Sequence, residues 1–210
     1  MSLHHWFLYL LVIVALIAMP GPSAMLCLSH GAQHGGRRAI ATVLGGVISA
    51  LTLMLLSVLG VGAMLAASST LFTMVKLLGA LYLLYLGIAA WRSPAPELAG
   101  LALVPPDAEP RPLHKLFGHG FMVGIGNPKD LLFFGALFPQ FVDAQQAVLP
   151  QLLLLALTWV VADFSIMSCY ALMGRRVASL FSRLGGSRLF NRVTGGAFVA
   201  ASGLLAISSK

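Results

Sequence analysis

Residues 1–36, 39–75 and 144–162 contain no Asp, Glu, Lys or Arg. A helix needs about 20 predominantly apolar residues to cross the hydrocarbon of a bilayer, and these runs are about that long or longer. No water pairs with the backbone in hydrocarbon, so such a run must bond its own amides and carbonyls, as a helix does. Only 9% of the residues are charged, against roughly 25% in a soluble domain. The fold class that follows is an all-α integral membrane protein.

Hydropathy divides the chain into six spans, at 6–29, 39–66, 71–91, 118–141, 149–173 and 189–207. No Lys or Arg precedes the first apolar run, which continues past Pro22 to Leu28. It is longer than a signal-peptide core and is read as a retained first helix. The 39–66 run exceeds the need of one crossing, which implies tilt. Residues 93–112 hold Pro94, Pro96, Pro105, Pro106, Pro110 and Pro112 with Glu97, Asp107 and Glu109, the composition of a solvated linker. The chain therefore reads as a first three-helix repeat at 1–92, a cytoplasmic linker at 93–117 and a second three-helix repeat at 118–210, within one membrane domain.

Basic residues set the orientation. Arg37 and Arg38, then Arg92, Arg111 and Lys115, then Arg175, Arg176, Arg183 and Arg188 fall in alternate loops, while the opposite face has only Lys210. Short loops rich in Lys and Arg stay in the cytoplasm, which puts both termini on the other side. These loops account for the formal charge of +7. They suit anionic lipid headgroups as membrane partners and give no reason to expect nucleic acid.

Two spans are interrupted at corresponding places. Met19-Pro20-Gly21-Pro22-Ser23 breaks the first, and Gly126-Asn127-Pro128-Lys129-Asp130 breaks the fourth. Proline has no amide proton and its ring clashes with the preceding turn, so each break frees backbone groups. In a membrane these are tolerated only where protein or a water-filled cavity meets them. Paired interruptions in two halves point to a transporter site near the bilayer midplane. Three spans per half make the second half enter the membrane from the opposite side. The expected architecture is thus six transmembrane helices as two inverted three-helix repeats, the first and fourth helices broken by proline. Lys76, Gly79 and Gly87 match Arg192, Gly195 and Gly203 at a shift of 116 residues, a weak similarity in the same sense.

The motifs resemble those of the LysE/RhtB family of amino-acid exporters. That family carries a Pro-Gly-Pro in its first helix, here Pro20-Gly21-Pro22. Its third helix has a K-x-x-G-x-x-Y-L segment, here Lys76, Gly79, Tyr82, Leu83 and Gly87, and its fourth an Asn-Pro-Lys, here Asn127-Pro128-Lys129. The resemblance covers nearly the whole chain. It implies a secondary transporter of the bacterial inner membrane that exports amino acids or their derivatives, coupled to an ion gradient such as the proton gradient, with no cofactor. One departure stands out: many members carry an acidic or polar residue in the second helix after a Gly-x-x-x-Gly, whereas here Gly45 leads to Ser49 and Ala50.

An amino acid is a zwitterion, so its site needs an anion-binding end and a cation-binding end. A helix restarting after Pro22 presents free amides and a positive dipole end near Ser23 and Ala24; the restart after Pro128 does the same, with the charge of Lys129 added. Pro20, Gly21, Pro22, Ser23, Asn127, Pro128 and Lys129 are the substrate-binding candidates. Ser23 reads equally as a helix cap, Gly21 as a close-packing position, and Asn127 as a partner for carbonyls freed by Pro128.

A charge at the bilayer centre costs about 2.5–3.5 kcal/mol, so charged residues inside spans must face protein. Asp163 lies near mid-depth of the fifth span on one face with Trp159, Ile166, Met167 and Tyr170. Two roles are open to it: holding the substrate ammonium or a coupling proton, and a structural salt bridge to Lys129. Asp130 is a second coupling candidate, with local pairing as its alternative. Lys76 is placed to snorkel. Tyr82 and Tyr85 read as cavity lining or as core packing.

Cys27 and Cys169 read as buried free thiols. His4, His5, His30, His34, His114 and His119 fall at span ends or in loops, where solvated interface positions are expected and a metal site is not. The sequence has no G-x-S-x-G or H-E-x-x-H, which weighs against an intramembrane enzyme. A metal-cation exporter or channel of the same superfamily would want clustered acids or thiols, and a membrane scaffold would not need broken helices. The stripes of Gly79 with Gly87 and Gly195 with Gly203 leave room for a homodimer.

Overall fold

The first apolar run folds as two helices. In the computed structural model, α1 (Leu3–Ala18) and α2 (Pro22–His34) are bent by 53° across the Pro20–Gly21 break. There follow α3 (Gly36–Ala67), α4 (Leu113–Ile125), α5 (Pro128–Leu132), a π-helical turn (Phe133–Leu137), a 3-10 turn (Phe138–Phe141) and α6 (Val148–Leu172). The structure describes residues 3–67, 111–143 and 146–173, with side chains to residue 60 in α3, and single helical positions between 74 and 92 and between 192 and 203. Apart from those positions, the predicted third and sixth spans, residues 93–110 of the linker, Lys76 and Tyr82 lie outside the described residues. Every described element is helical.

Local sequence explains the boundaries. Gly35, with φ of +84°, makes the turn from α2 to α3 in the left-handed region that favours glycine. α4 starts at Leu113, earlier than the predicted residue 118, directly after Pro112. His114 and Lys115 are exposed on its first turn, so a hydropathy window misses that end. α2 likewise runs to His34, beyond the predicted residue 29. Among the described residues two helices are long and apolar enough to cross a membrane, and three if the bent pair counts as one span.

α3 and α4 pack through small residues. A methyl on Gly45 would collide with the Phe117 carbonyl, one on Gly120 with the Thr42 carbonyl, and one on Gly124 with Ser49 Oγ. This is the small-xxx-small contact that lets two membrane helices approach closely. It also gives Ser49, which stands where the resemblance implies an acidic or polar residue, a packing role. α1 meets α6 through Trp6 Nε1–H donating to Thr158 Oγ1 at 3.1 Å and Tyr9 O–H donating to the Leu155 carbonyl at 3.1 Å. Between them lies an aromatic core: Phe134 and Trp159 have ring centres 4.6 Å apart, and Tyr9 and Phe141 5.1 Å. Leu55, Leu56 and Leu59 on α3 and Leu149, Leu153, Leu157 and Val161 on α6 are exposed, as helix faces turned to lipid are.

Candidate functional site

The two proline breaks meet. Each restart has the same form, an extended N-cap residue followed by proline: Gly21 (φ −148°, ψ −175°) before Pro22, and Asn127 (φ −70°, ψ 113°) before Pro128. Proline at the first helical position loses a donor that would be unpaired there anyway. Asn127 is buried and acts in three directions. Its Oδ1 accepts from the Lys129 amide at 3.2 Å, while its Nδ2 donates to Ser23 Oγ at 3.1 Å and to Asp130 Oδ2 at 2.8 Å. A single side chain thus ties the fourth-span break to the first and holds Asp130.

Lys129 crosses the same junction. Its ammonium donates to the carbonyls of Leu16 at 2.6 Å and Met19 at 3.1 Å, at and just beyond the C-terminal end of α1. Among the described residues no ion pair joins it to Asp163. Gly21 lies against this side chain: a Cβ there would sit 3.6 Å from Lys129 Nζ, an ordinary contact. From α6, Tyr170 O–H donates to the Ala18 carbonyl at 2.8 Å.

Beside this junction is a cavity of about 20 Å³, room for about one water and too narrow for an amino acid in this conformation. Ser23, Asn127, Lys129, Asp130 and Asp163 line it together with Cys27, Thr42, Gly46, Trp159 and Met167. Asp163 is buried and has no hydrogen-bond partner among the described residues. Trp159, one turn before it, carries a buried Nε1–H that is likewise unpartnered in the structure.

Of the residues singled out from the sequence, Pro20, Gly21, Pro22, Ser23, Asn127, Pro128, Lys129, Asp130 and Asp163 come together at this junction. Tyr85 does not: it is exposed on its helix and away from the cavity lining. Tyr82 lies outside the described residues. Sequence reasoning missed Tyr170 as a partner of the break; its place on the Asp163 face of the fifth span was the available signal. It also missed Thr42 and Gly46.

Two smaller readings are corrected. Cys27 is buried as expected, but Cys169 is exposed, because it falls on the outer face of α6. His30 is buried rather than solvated, because α2 extends past it. Its Nδ1 lies 2.7 Å from Thr42 Oγ1, and its ring centre is 5.5 Å from that of His34 and 5.2 Å from that of His119. No group of three His, Cys, Asp or Glu suited to a metal ion occurs among the described residues.

Comparison with known proteins agrees with the motif reading. The chain is 32% identical over 206 residues to the homoserine/homoserine lactone efflux protein of Salmonella typhimurium, covering 98% of each chain. It is 31% identical over 201 residues to the leucine efflux protein of Klebsiella pneumoniae, covering 94% of this chain and 92% of the relative. An uncharacterized membrane protein of Vibrio cholerae is 31% identical over 206 residues, with 98% of each chain covered. No solved structure matches the chain. The family model for the LysE type translocator matches residues 14–209. With its apolar spans and its paired breaks, this chain belongs to the LysE translocator family of membrane proteins.

Proposed function

We propose that this chain is a secondary transporter exporting amino acids or amino-acid derivatives from the bacterial cytoplasm, driven by the proton gradient. The observation that carries this reading is the meeting of two broken helices at a cavity lined by the buried carboxyl of Asp163, which has no hydrogen-bond partner among the described residues. A buried acid with no hydrogen-bond partner among the described residues is the group that a substrate ammonium or a proton would pair with. Relatives named as homoserine/homoserine lactone and leucine efflux proteins support amino-acid cargo.

In this reading Ser23 and Asn127 contact substrate beside the amides that follow Pro22, and Pro20, Gly21 and Pro128 shape the break. Asp163 takes the ammonium or the proton. Asp130, already bonded to Asn127, couples its own charge state to the junction. Lys129 adds positive charge on the side where a carboxylate would lie, although its ammonium is held on backbone carbonyls in this conformation. The cavity must widen to load an amino acid.

The proposed architecture is two inverted three-helix repeats at 1–92 and 118–210 joined by the cytoplasmic linker 93–117, in the inner membrane with both termini outside. The matching form of the two restarts supports it. The glycine stripes of the third and sixth spans leave a face for a homodimer. Cysteine labelling in intact cells tests the orientation: a thiol at position 210 should react from outside, and thiols at 37 and 183 should not.

Efflux of a labelled amino-acid panel from liposomes holding the purified protein tests the function. Wild type should export at least one member of the panel in a proton-dependent manner. Asp163→Asn should lose that export without unfolding, and Pro20→Ala and Pro128→Ala should lose it while still inserting. Full efflux in all three variants would overturn the reading.

A further inference from the structure

In an α-helix the amide of residue i donates to the carbonyl of residue i−4. Pro20 has no amide proton to give Leu16, and Ala18, the last residue of α1, meets no amide in register because Gly21 is extended and Pro22 begins α2. Those two carbonyls are the ones met from elsewhere: Lys129 Nζ donates to Leu16 at 2.6 Å, and Tyr170 O–H donates to Ala18 at 2.8 Å. The Met19 carbonyl, whose helical donor would be the Ser23 amide beyond the break, also receives Lys129 at 3.1 Å. The neighbouring Ala15 carbonyl needs no such help, because the Met19 amide serves it at 3.1 Å.

Pro139 follows the same rule as Pro20. The turn at Phe133–Leu137 is π-helical, and the Phe138 amide bonds the Phe133 carbonyl, five residues back. In that register Pro139 would donate to Phe134. The Phe134 carbonyl is instead met by Ser57 Oγ from α3. Pro128 differs, since the carbonyl it deprives, Gly124, is served by the adjacent Asn127 amide at 3.1 Å.

We propose that Lys129, Tyr170 and Ser57 are positioning residues, each supplying a backbone hydrogen bond that a proline break leaves unmade: Lys129 for Pro20, Tyr170 for the end of α1 at Ala18 and Ser57 for Pro139. Each donor comes from a different span than the carbonyl it serves, so each fixes one helix against another. In hydrocarbon the freed carbonyl has no water to turn to, and the donor is required wherever the break is present. Lys129 then acts on transport by setting the geometry of the first span, its charge lying beside the site.

The full-length protein in detergent tests the pairing through matched and crossed double variants. Lys129→Met, Tyr170→Phe and Ser57→Ala should each lower the unfolding temperature. The loss should shrink by more than half when the matching proline is replaced, Pro20→Ala with Lys129→Met and Pro139→Ala with Ser57→Ala, whereas Pro22→Ala should leave the Tyr170→Phe loss unchanged. An alanine amide at 20 or 139 restores the missing donor. Crossed pairs such as Pro20→Ala with Tyr170→Phe should be additive. Equal losses in matched and crossed backgrounds would overturn the proposal.

Should the proline variants fail to fold, the single variants decide it. Leu16-Ile17 is the only Leu-Ile pair in the chain, so carbonyl-labelled leucine with nitrogen-labelled isoleucine isolates the Leu16 carbonyl by solid-state NMR. That signal should move in Lys129→Met and hold in Tyr170→Phe; a signal unmoved in Lys129→Met sinks the idea. In liposomes Tyr170→Phe should lower the maximal efflux rate at unchanged KM, and a raised KM with unchanged rate would contradict positioning. The transport arm rests on the export reading. The unfolding and NMR arms need no substrate, so the two ideas fail separately.

Discussion

At the break in the fourth span the chain closes its own bonds: the Asn127 amide serves Gly124, the Gly126 amide serves Met122, and the Asn127 side chain caps Lys129. At the break in the first span the N-cap is Gly21, which has no side chain to offer, and the freed carbonyls are met from α5 and α6. The flanks differ too. α4, which leads into the fourth-span break, is locked to α3 through Gly45, Gly120 and Gly124, whereas α1 turns by 53° into α2. One break is therefore a self-contained bracket and the other is held in place by its neighbours. A motion that separates the second half from the first strips Lys129 and Tyr170 from the first-span break while the backbone bonds that close the fourth-span break stay within it, so the first span is the element expected to change shape at its break during transport.

The comparison is broken most severely by attacking the bracket's scaffold. Gly120→Leu should push α4 off the Thr42 carbonyl and cost about 3 kcal/mol or more, at or beyond the upper end of overpacking; an unfolding temperature equal to wild type would show that α4 is not clamped. Asn127→Ala comes next. It leaves the Lys129 amide and the Asp130 carboxylate without their partner and should cost about 2–3 kcal/mol, read by thermal unfolding, with loss of efflux. Ser23→Ala removes only the acceptor that joins one break to the other, so about 1 kcal/mol is expected. Gly21→Ala should be the mildest. Its backbone is extended, which any residue adopts, and the new methyl meets Lys129 at ordinary contact distance. A change within about 0.5 kcal/mol is expected, and a large loss of stability would show that the first break tolerates less than its geometry implies.

Much of this was legible in the sequence for a physical reason. Proline removes a donor wherever it stands, so Pro20, Pro22 and Pro128 announce the breaks without reference to the fold. Charge in an apolar run is equally plain, which is why Lys129, Asp130 and Asp163 were singled out and do meet at the cavity. What the sequence withheld is pairing across distance. Lys129 reads as free positive charge until its bond to Leu16, 113 residues away, is seen. Tyr170 reads as one more aromatic on a lipid-buried helix. The start of α4 was missed because exposed His114 and Lys115 dilute the hydropathy of a helix that Pro112 nonetheless begins. His30 was misread because polar residues suggest water, and only the length of α2 carries it beneath Thr42.

The wide spacing of the first span's donors bears on how the protein is made. Ala18 waits for a hydroxyl 152 residues further along the chain, and Leu16 for an ammonium 113 residues along. Synthesis at about 5–20 residues per second leaves the first span without Lys129 for roughly 6–23 s after it emerges. During that interval its break must remain beside water or the insertion machinery, because lipid offers no donor. The first span's backbone bonding is thus completed only by the arrival of the fourth and fifth.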